Sequence, residues 1–171
     1  MNEPRSALVV LVPDAEELVG SIRARHDPAA TSGMPAHVTV LYPFVPPALT
    51  GSDRAALHAL AASFPASDFV LTAVRRFPGV LWLAPEPAAL FVELTRRVVA
   101  RWPQHRPYAG AHDGDRPHLT VALGPDTLFD ELDRPLSAGL PIRSRAASLS
   151  LAERDGSGAW KIGSQFPFAA G

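Results

Sequence analysis

A His-x-Thr-x pattern occurs twice in this chain, as Pro35-Ala36-His37-Val38-Thr39-Val40 and as Pro117-His118-Leu119-Thr120-Val121. Successive side chains of a β-strand point to opposite faces. Each segment is therefore predicted to place a histidine beside a threonine on one face and to bury its apolar residues on the other. With only 6 histidines in the chain, one match is expected about 0.05 times by chance. Two matches therefore indicate a shared chemical role.

The strands and helices around the two segments also follow one order twice. Both halves fit the order strand, helix, histidine strand, helix, strand, with strands predicted at 7–12, 38–42, 68–74, 80–83, 119–123 and 142–151. A further strand at 160–162 is predicted to pair with the last of these across a turn at 155–158. The histidines are 118 − 37 = 81 residues apart in a chain of 171 residues. We therefore expect a single domain over 1–171, in which repeats at about 5–76 and 77–171 form two lobes with the histidine strands facing across a cleft.

Polar residues mark the predicted starts of two helices. Asp14 and Glu17 have the spacing of a capping box ahead of a helix that runs to about Arg25. Thr50 or Ser52 is predicted to cap the helix that follows the first histidine strand.

Composition excludes several classes of protein. The formal net charge is −1, so there is no general attraction to a polynucleotide backbone, and an RNA partner must be bound by a local patch or at its end. The absence of cysteine excludes disulfides, thiolate nucleophiles and cysteine-based metal sites. No segment has the apolar length of a signal core or a membrane span. We expect a cytoplasmic monomer that makes no membrane contact.

Two facing imidazoles suit the cleavage of a phosphodiester. A neutral histidine takes a proton from the attacking oxygen, and a protonated histidine gives a proton to the leaving oxygen. An ordinary imidazole pKa near 6.5 keeps both forms available at neutral pH. The hydroxyls of Thr39 and Thr120 are placed to donate to the non-bridging phosphate oxygens, where charge builds up in the transition state. This chemistry requires neither a metal ion nor a cofactor.

Other residues near the motifs are candidates for substrate contact. Tyr42, Phe44 and Trp82 carry rings on which a base can stack, and Phe44 is the favoured one because it directly follows the first motif strand. Arg116, two residues before the second histidine, is a candidate phosphate ligand. The segment 103–117 is long enough to act as a lid or recognition loop.

At these residues the chain resembles the two-histidine (2H) phosphoesterase superfamily, which includes the bacterial 2′-5′ RNA ligase-like proteins and the cyclic phosphodiesterases. The matching letters are His37-Val38-Thr39-Val40 with the following Leu41-Tyr42-Pro43-Phe44, then Pro117-His118-Leu119-Thr120-Val121, and the strand Val80-Leu81-Trp82-Leu83. The resemblance implies an α+β fold of two duplicated lobes, with mainly antiparallel sheets facing a central cleft. It also implies acid–base roles for His37 and His118, and phosphate binding by Thr39 and Thr120.

The activity implied by this resemblance is hydrolysis of 2′,3′-cyclic phosphates, on RNA 3′ ends or on small nucleotides, to 2′-phosphates. Three alternatives stay open: a module that binds RNA ends or nucleotides with little turnover, an enzyme acting on 2′-5′ linkages, and an enzyme acting on another cyclic nucleotide. The near-symmetry of the two halves also leaves open which histidine is the acid.

Overall fold

The computed structural model describes residues 5–44, 49–107 and 116–171. Most of the predicted loop at 103–117 therefore lies outside the described residues. The described ranges contain, in chain order, the strands and helices β1 Arg5–Leu11, α1 Glu16–His26, α2 Pro28–Thr31, β2 His37–Leu41, α3 Gly51–Ala62, β3 Ser67–Phe77, β4 Val80–Glu86, α4 Ala89–Arg101, β5 Leu119–Leu123, α5 Asp126–Ala138, β6 Ile142–Ala146, β7 Ser148–Arg154 and β8 Trp160–Pro167. The predicted α+β class is confirmed. None of these helices combines the length and apolar character needed to cross a membrane.

The strands form two four-stranded antiparallel sheets. The first sheet has the order β2-β1-β7-β8 and the second the order β5-β4-β3-β6. The predicted lobe boundaries at 5–76 and 77–171 are therefore wrong, because β3 joins the sheet of the second half while β7 and β8 join the sheet of the first. The hairpin turn explains the position of β3: Phe77 pairs with Val80, and Gly79 between them has a positive φ of 75°. Such a tight turn makes β4 the neighbour of β3.

The larger of two apolar clusters among the described residues combines side chains of both sheets and of the helices. Val38 and Val40 of β2 and Leu119 and Val121 of β5 are at most 2% exposed within it. Burial of each such side chain contributes about 2 kcal/mol. The alternation predicted for the two motif strands is thus confirmed, and their histidines and threonines lie on the face away from this core.

The two predicted helix starts have different outcomes. Thr50, one of the two predicted capping residues, caps α3, and it also forms a capping box with Asp53. The capping box at Asp14 is wrong, because Asp14 lies in a 3₁₀ turn that begins at Pro13 and α1 starts only at Glu16. The carboxylate of Asp14 instead accepts a hydrogen bond from the hydroxyl of Ser144 at 2.7 Å, a tertiary contact that local spacing does not reveal.

Candidate active site

The two histidine motifs meet where β2 approaches β5. Cα atoms of these strands come within 8 Å of each other. One cavity is lined by both Thr39 and His118, and the charge of His118 acts on the pKa of His37. Thr120 is half-buried between the buried Leu119 and Val121, which places it on the face opposite to theirs. The fold therefore brings His37, Thr39 and His118, from both halves of the chain, to one cleft.

Both imidazoles are held in the same way. Nδ1 of His37 lies 2.7 Å from the carbonyl oxygen of Pro35, and Nδ1 of His118 lies 2.7 Å from the carbonyl oxygen of Arg116. A carbonyl oxygen only accepts, so each Nδ1 carries the hydrogen and donates it. Nε2 of each ring is then the nitrogen that gains or loses a proton at a ligand. Neither contact was predicted, because the sequence pattern carries no information on carbonyl directions.

The environment of His37 favours its neutral form. The pKa of His37 is lowered to about 4, mainly by burial and also by the charges of Arg23 and His118, while the hydrogen bond to Pro35 and the charge of Asp27 act in the opposite direction. At neutral pH its Nε2 therefore carries a free lone pair, the state required of a general base.

A buried ion pair supports the segment that leads into His37. Arg23 and Asp27 are 2% and 5% exposed, and Nη2 of Arg23 lies 2.9 Å from Oδ2 of Asp27. Nη1 of Arg23 donates to the carbonyl oxygen of Met34 at 3.1 Å, and Oδ1 of Asp27 accepts from the backbone N–H of Ala29 at 3.0 Å. The pair thus links the end of α1, the start of α2 and the approach to β2. Its i,i+4 spacing is visible in the sequence, but most such pairs lie on the surface, so the pattern alone does not indicate burial.

Aromatic rings pack against His118. The ring of Phe77 makes an edge contact with the imidazole at 5.2 Å, and the ring of Trp82 does so at 5.9 Å. Phe77 and Trp82 also stack on each other at 4.6 Å. The second histidine therefore packs against two stacked rings, whereas the segment that leads into the first is held by the Arg23–Asp27 ion pair.

The residues predicted to contact substrate separate into two groups. Tyr42 and Arg116 line the cleft and stay predicted substrate contacts. Phe44 is 3% exposed and packs on Trp102 at a ring distance of 5.2 Å. Trp82 is 4% exposed. The structure therefore does not bring Phe44 or Trp82 to the surface of the cleft, and both act there as packing around the site.

Two neighbouring cavities flank the motif residues. The first, of about 230 Å³, extends from His118 towards α4 and includes side chains that the sequence pattern did not single out, namely Val92, Thr95 and Arg96. The second, of about 280 Å³, extends from His37 and also includes unpredicted residues, namely Met34, Arg154 and Trp160. Thr39 and Tyr42 line both. The cleft therefore has room on either side of the histidines.

Within the described ranges, no group of three or more His, Asp or Glu side chains is placed to hold a metal ion. That the chemistry needs no metal remains a prediction for experiment.

The family follows from sequence comparison with known proteins. A sequence profile described as the 2′-5′ RNA ligase superfamily matches residues 11–158. The chain belongs to this superfamily. Among curated proteins, no sequence is significantly similar to it.

Solved structures with a similar fold include LigT of E. coli and TT0787 of Thermus thermophilus. LigT complexed with NADP+ is 17% identical with a TM-score of 0.60, and the match covers 98% of this chain and 99% of that one. LigT complexed with 3′-AMP is 17% identical with a TM-score of 0.58, covering 97% and 99%. TT0787 is 18% identical with a TM-score of 0.62, covering 95% and 97%. At these identities the likeness shows the shared fold.

Proposed function

We propose that this member of the superfamily hydrolyses 2′,3′-cyclic phosphates, on RNA 3′ ends or on nucleotides, to 2′-phosphates. The observation that carries the proposal is the convergence of His37 and His118 on one cleft, each with Nδ1 bound to a backbone carbonyl. This arrangement leaves one nitrogen on each ring for proton transfer. The LigT structures complexed with 3′-AMP and NADP+ add that a protein of this fold binds nucleotides.

The two histidines take different roles in this mechanism. His37, neutral in the free protein, accepts a proton from a water molecule as the water oxygen bonds to phosphorus. The bond from phosphorus to O3′ breaks, and protonated His118 donates its Nε2 proton to O3′. The negative substrate favours the charged form of each imidazole, so binding raises the tendency of His37 to take the proton.

Hydroxyl and guanidinium groups stabilise the phosphate in this proposal. Thr39 and Thr120 donate to the non-bridging oxygens as their charge increases. Arg116, exposed at the edge of the first cavity, attracts the phosphate, and Tyr42 contacts the nucleoside.

The test is hydrolysis of 2′,3′-cyclic nucleotides and of an RNA oligomer with a cyclic 3′ end, in the presence of EDTA, with the product identified by phosphorus NMR. His37→Ala and His118→Ala should each lower the rate by about 10² to 10⁴. The matched control is His26→Ala, which removes a histidine of α1 that lines neither cavity. Full activity in either motif variant would exclude the mechanism.

Other substrate outcomes separate the remaining candidates. Calorimetric binding of a cyclic nucleotide without any product would indicate a binding module. Turnover of 2′-5′ linkages or of another cyclic nucleotide, with no reaction at 2′,3′-cyclic phosphates, would indicate a different enzyme of the same fold.

A further inference from the structure

The residues that line the second cavity come from two positions along the first sheet. His37 and Thr39 lie at one of these positions, and Arg154 and Trp160 lie at the other. In the first sheet, Thr39 pairs with Val9 of β1, whereas Arg154 pairs with Arg5 of β1. Val9 and Arg5 are four residues apart along β1, which corresponds to about 13 Å. A ribose and a base fit one after the other over this distance, starting from a phosphate at the histidines.

Small side chains form the floor of this cavity. Ala7 lines it, is 3% exposed and pairs in the sheet with Ala152. Ala29 of α2 and the polarisable side chain of Met34 complete the floor. An apolar floor of this kind can pack against a flat ring, but its side chains provide no hydrogen-bond donor for a phosphate group.

Two aromatic side chains in edge contact with each other form one wall. The rings of Tyr42 and Trp160 are 6.0 Å apart and inclined at 62°. The backbone N–H of Trp160 donates to the carbonyl oxygen of Ser32 at 2.7 Å, which fixes the position of this wall. Trp82 and Trp102 are buried in the protein, whereas Trp160 is only half-buried and can stack on a ligand. Stacking of this kind holds bases of any type.

Arg154 supplies hydrogen-bond donors at the far end. Its Nε donates to the carbonyl oxygen of Gly158 at 3.1 Å, which orients the guanidinium. Among the residues that the structure describes, no acceptor is bonded to its two Nη groups. Paired N–H donors of arginine match the adjacent O6 and N7 acceptors of guanine. Adenine presents an amino group where guanine has O6, so it offers a mismatched edge.

We propose that the second cavity binds the base of the nucleotide whose cyclic phosphate lies at the histidines, and that Arg154 makes guanine the preferred base. This inference rests on the proposed function, because it takes the phosphate position from that mechanism. It assigns substrate selection to α2, β7 and β8, which lie outside both motif strands.

Binding is tested without turnover. Guanosine 2′-monophosphate is titrated into the protein while the three indole N–H resonances are followed by NMR, with that of Trp160 assigned from Trp160→Phe. The Trp160 resonance should move and that of the buried Trp102 should not. Ribose 2-phosphate, which lacks a base, should leave Trp160 unmoved. An equal shift with ribose 2-phosphate, or no shift with the nucleotide, would overturn the base pocket.

Kinetics test the same cavity by filling it. Ala29→Phe should raise KM for guanosine 2′,3′-cyclic phosphate by at least about tenfold, since it occupies the space of the base. Ala30→Phe is the matched control on the same helix, because Ala30 does not line the cavity. Equal KM values in the two variants would contradict the proposal. Ala30→Phe should retain the KM of the wild type for the same substrate.

The role of Arg154 has its own test. The wild-type protein should prefer the guanosine substrate over the adenosine substrate by about fivefold or more in kcat/KM, the scale of one bidentate contact. Arg154→Met should abolish this preference. A preference that survives in Arg154→Met, or none in the wild type, would overturn the assignment to guanine. If the wild type hydrolyses no cyclic phosphate but the Trp160 shift persists, the proposed function fails and the base pocket stands.

Discussion

The guanidinium of Arg23 and the carboxylate of Asp27 form an ion pair at 2.9 Å in which both side chains are almost fully buried. Through Met34 and Ala29, the pair holds the backbone just ahead of β2. Both charges also act on the pKa of His37. The pair is therefore coupled to the cleft although neither residue lines it.

Removal of Asp27 should leave the buried charge of Arg23 without an opposite charge beside it. Asp27→Ala is expected to lower the free energy of unfolding by about 3–5 kcal/mol, measured by urea denaturation. Asp68→Ala is the matched control, because its ion pair with Arg145 is exposed and is worth at most about 1 kcal/mol. Equal stabilities of the two variants would show that the buried pair does not hold this part of the fold.

His37 should titrate far below an ordinary histidine. Its pKa is about 4 in the folded protein and about 6.5 in the unfolded chain. Between these values the unfolded chain binds more protons at this residue, so stability is fully present above pH 6.5 and falls as the pH drops towards 4. The loss is on the order of a few kcal/mol at most.

Two measurements check the low pKa of His37 and its effect on stability. NMR titration of the His37 ring should give the low pKa directly, and His37→Gln should weaken the fall in stability between pH 6.5 and 4, whereas His26→Gln should not. A His37 ring that titrates at 6.5 or above would contradict the buried environment.

The pH dependence of catalysis should be bell-shaped. In the proposed mechanism kcat/KM reports the free protein, so the acid limb should follow His37 and fall near pH 4. The alkaline limb should appear as His118 loses its proton. Initial rates from pH 3.5 to 9, with circular dichroism to confirm folding, provide the test. A flat profile over this range would argue against a pair of histidines.

Thr39 should contribute to the chemical step, because it lies in both cavities next to the histidines. Thr39→Val keeps the shape of the side chain and removes the donor, so kcat should fall by about 10² to 10³ with the fold intact. Thr127→Val, at an exposed position of α5, is the control and should retain wild-type kcat. A change in KM alone for Thr39→Val would mean that the hydroxyl binds the ground state and the transition state equally.

Local pattern was enough to predict some parts of this protein. The alternation of His37, Val38, Thr39 and Val40 predicted which face of β2 is buried, because the two-residue period of a strand is a property of the backbone. The same reasoning held for β5. Thr50 was also one of the two predicted caps of α3, and its contact with Asp53, three residues away, is a local one.

Other parts depended on contacts between distant segments. β7 pairs with β1 from more than a hundred residues away, and β8 joins the same sheet through β7. Neither Arg23 nor Trp160 shows in the sequence that it lies near His37. Asp14 was misassigned for the same reason, since its partner Ser144 is far along the chain.

The paired motifs and their buried backing are thus encoded by short-range periodicity, and they are sufficient to place the chain in its superfamily. The state of His37, the difference between its surroundings and those of His118, and the second cavity arise only from contacts between segments that are distant along the chain. Burial, long-range charge and enclosed volume depend on the separation of atoms in space, and separation along the chain does not determine it.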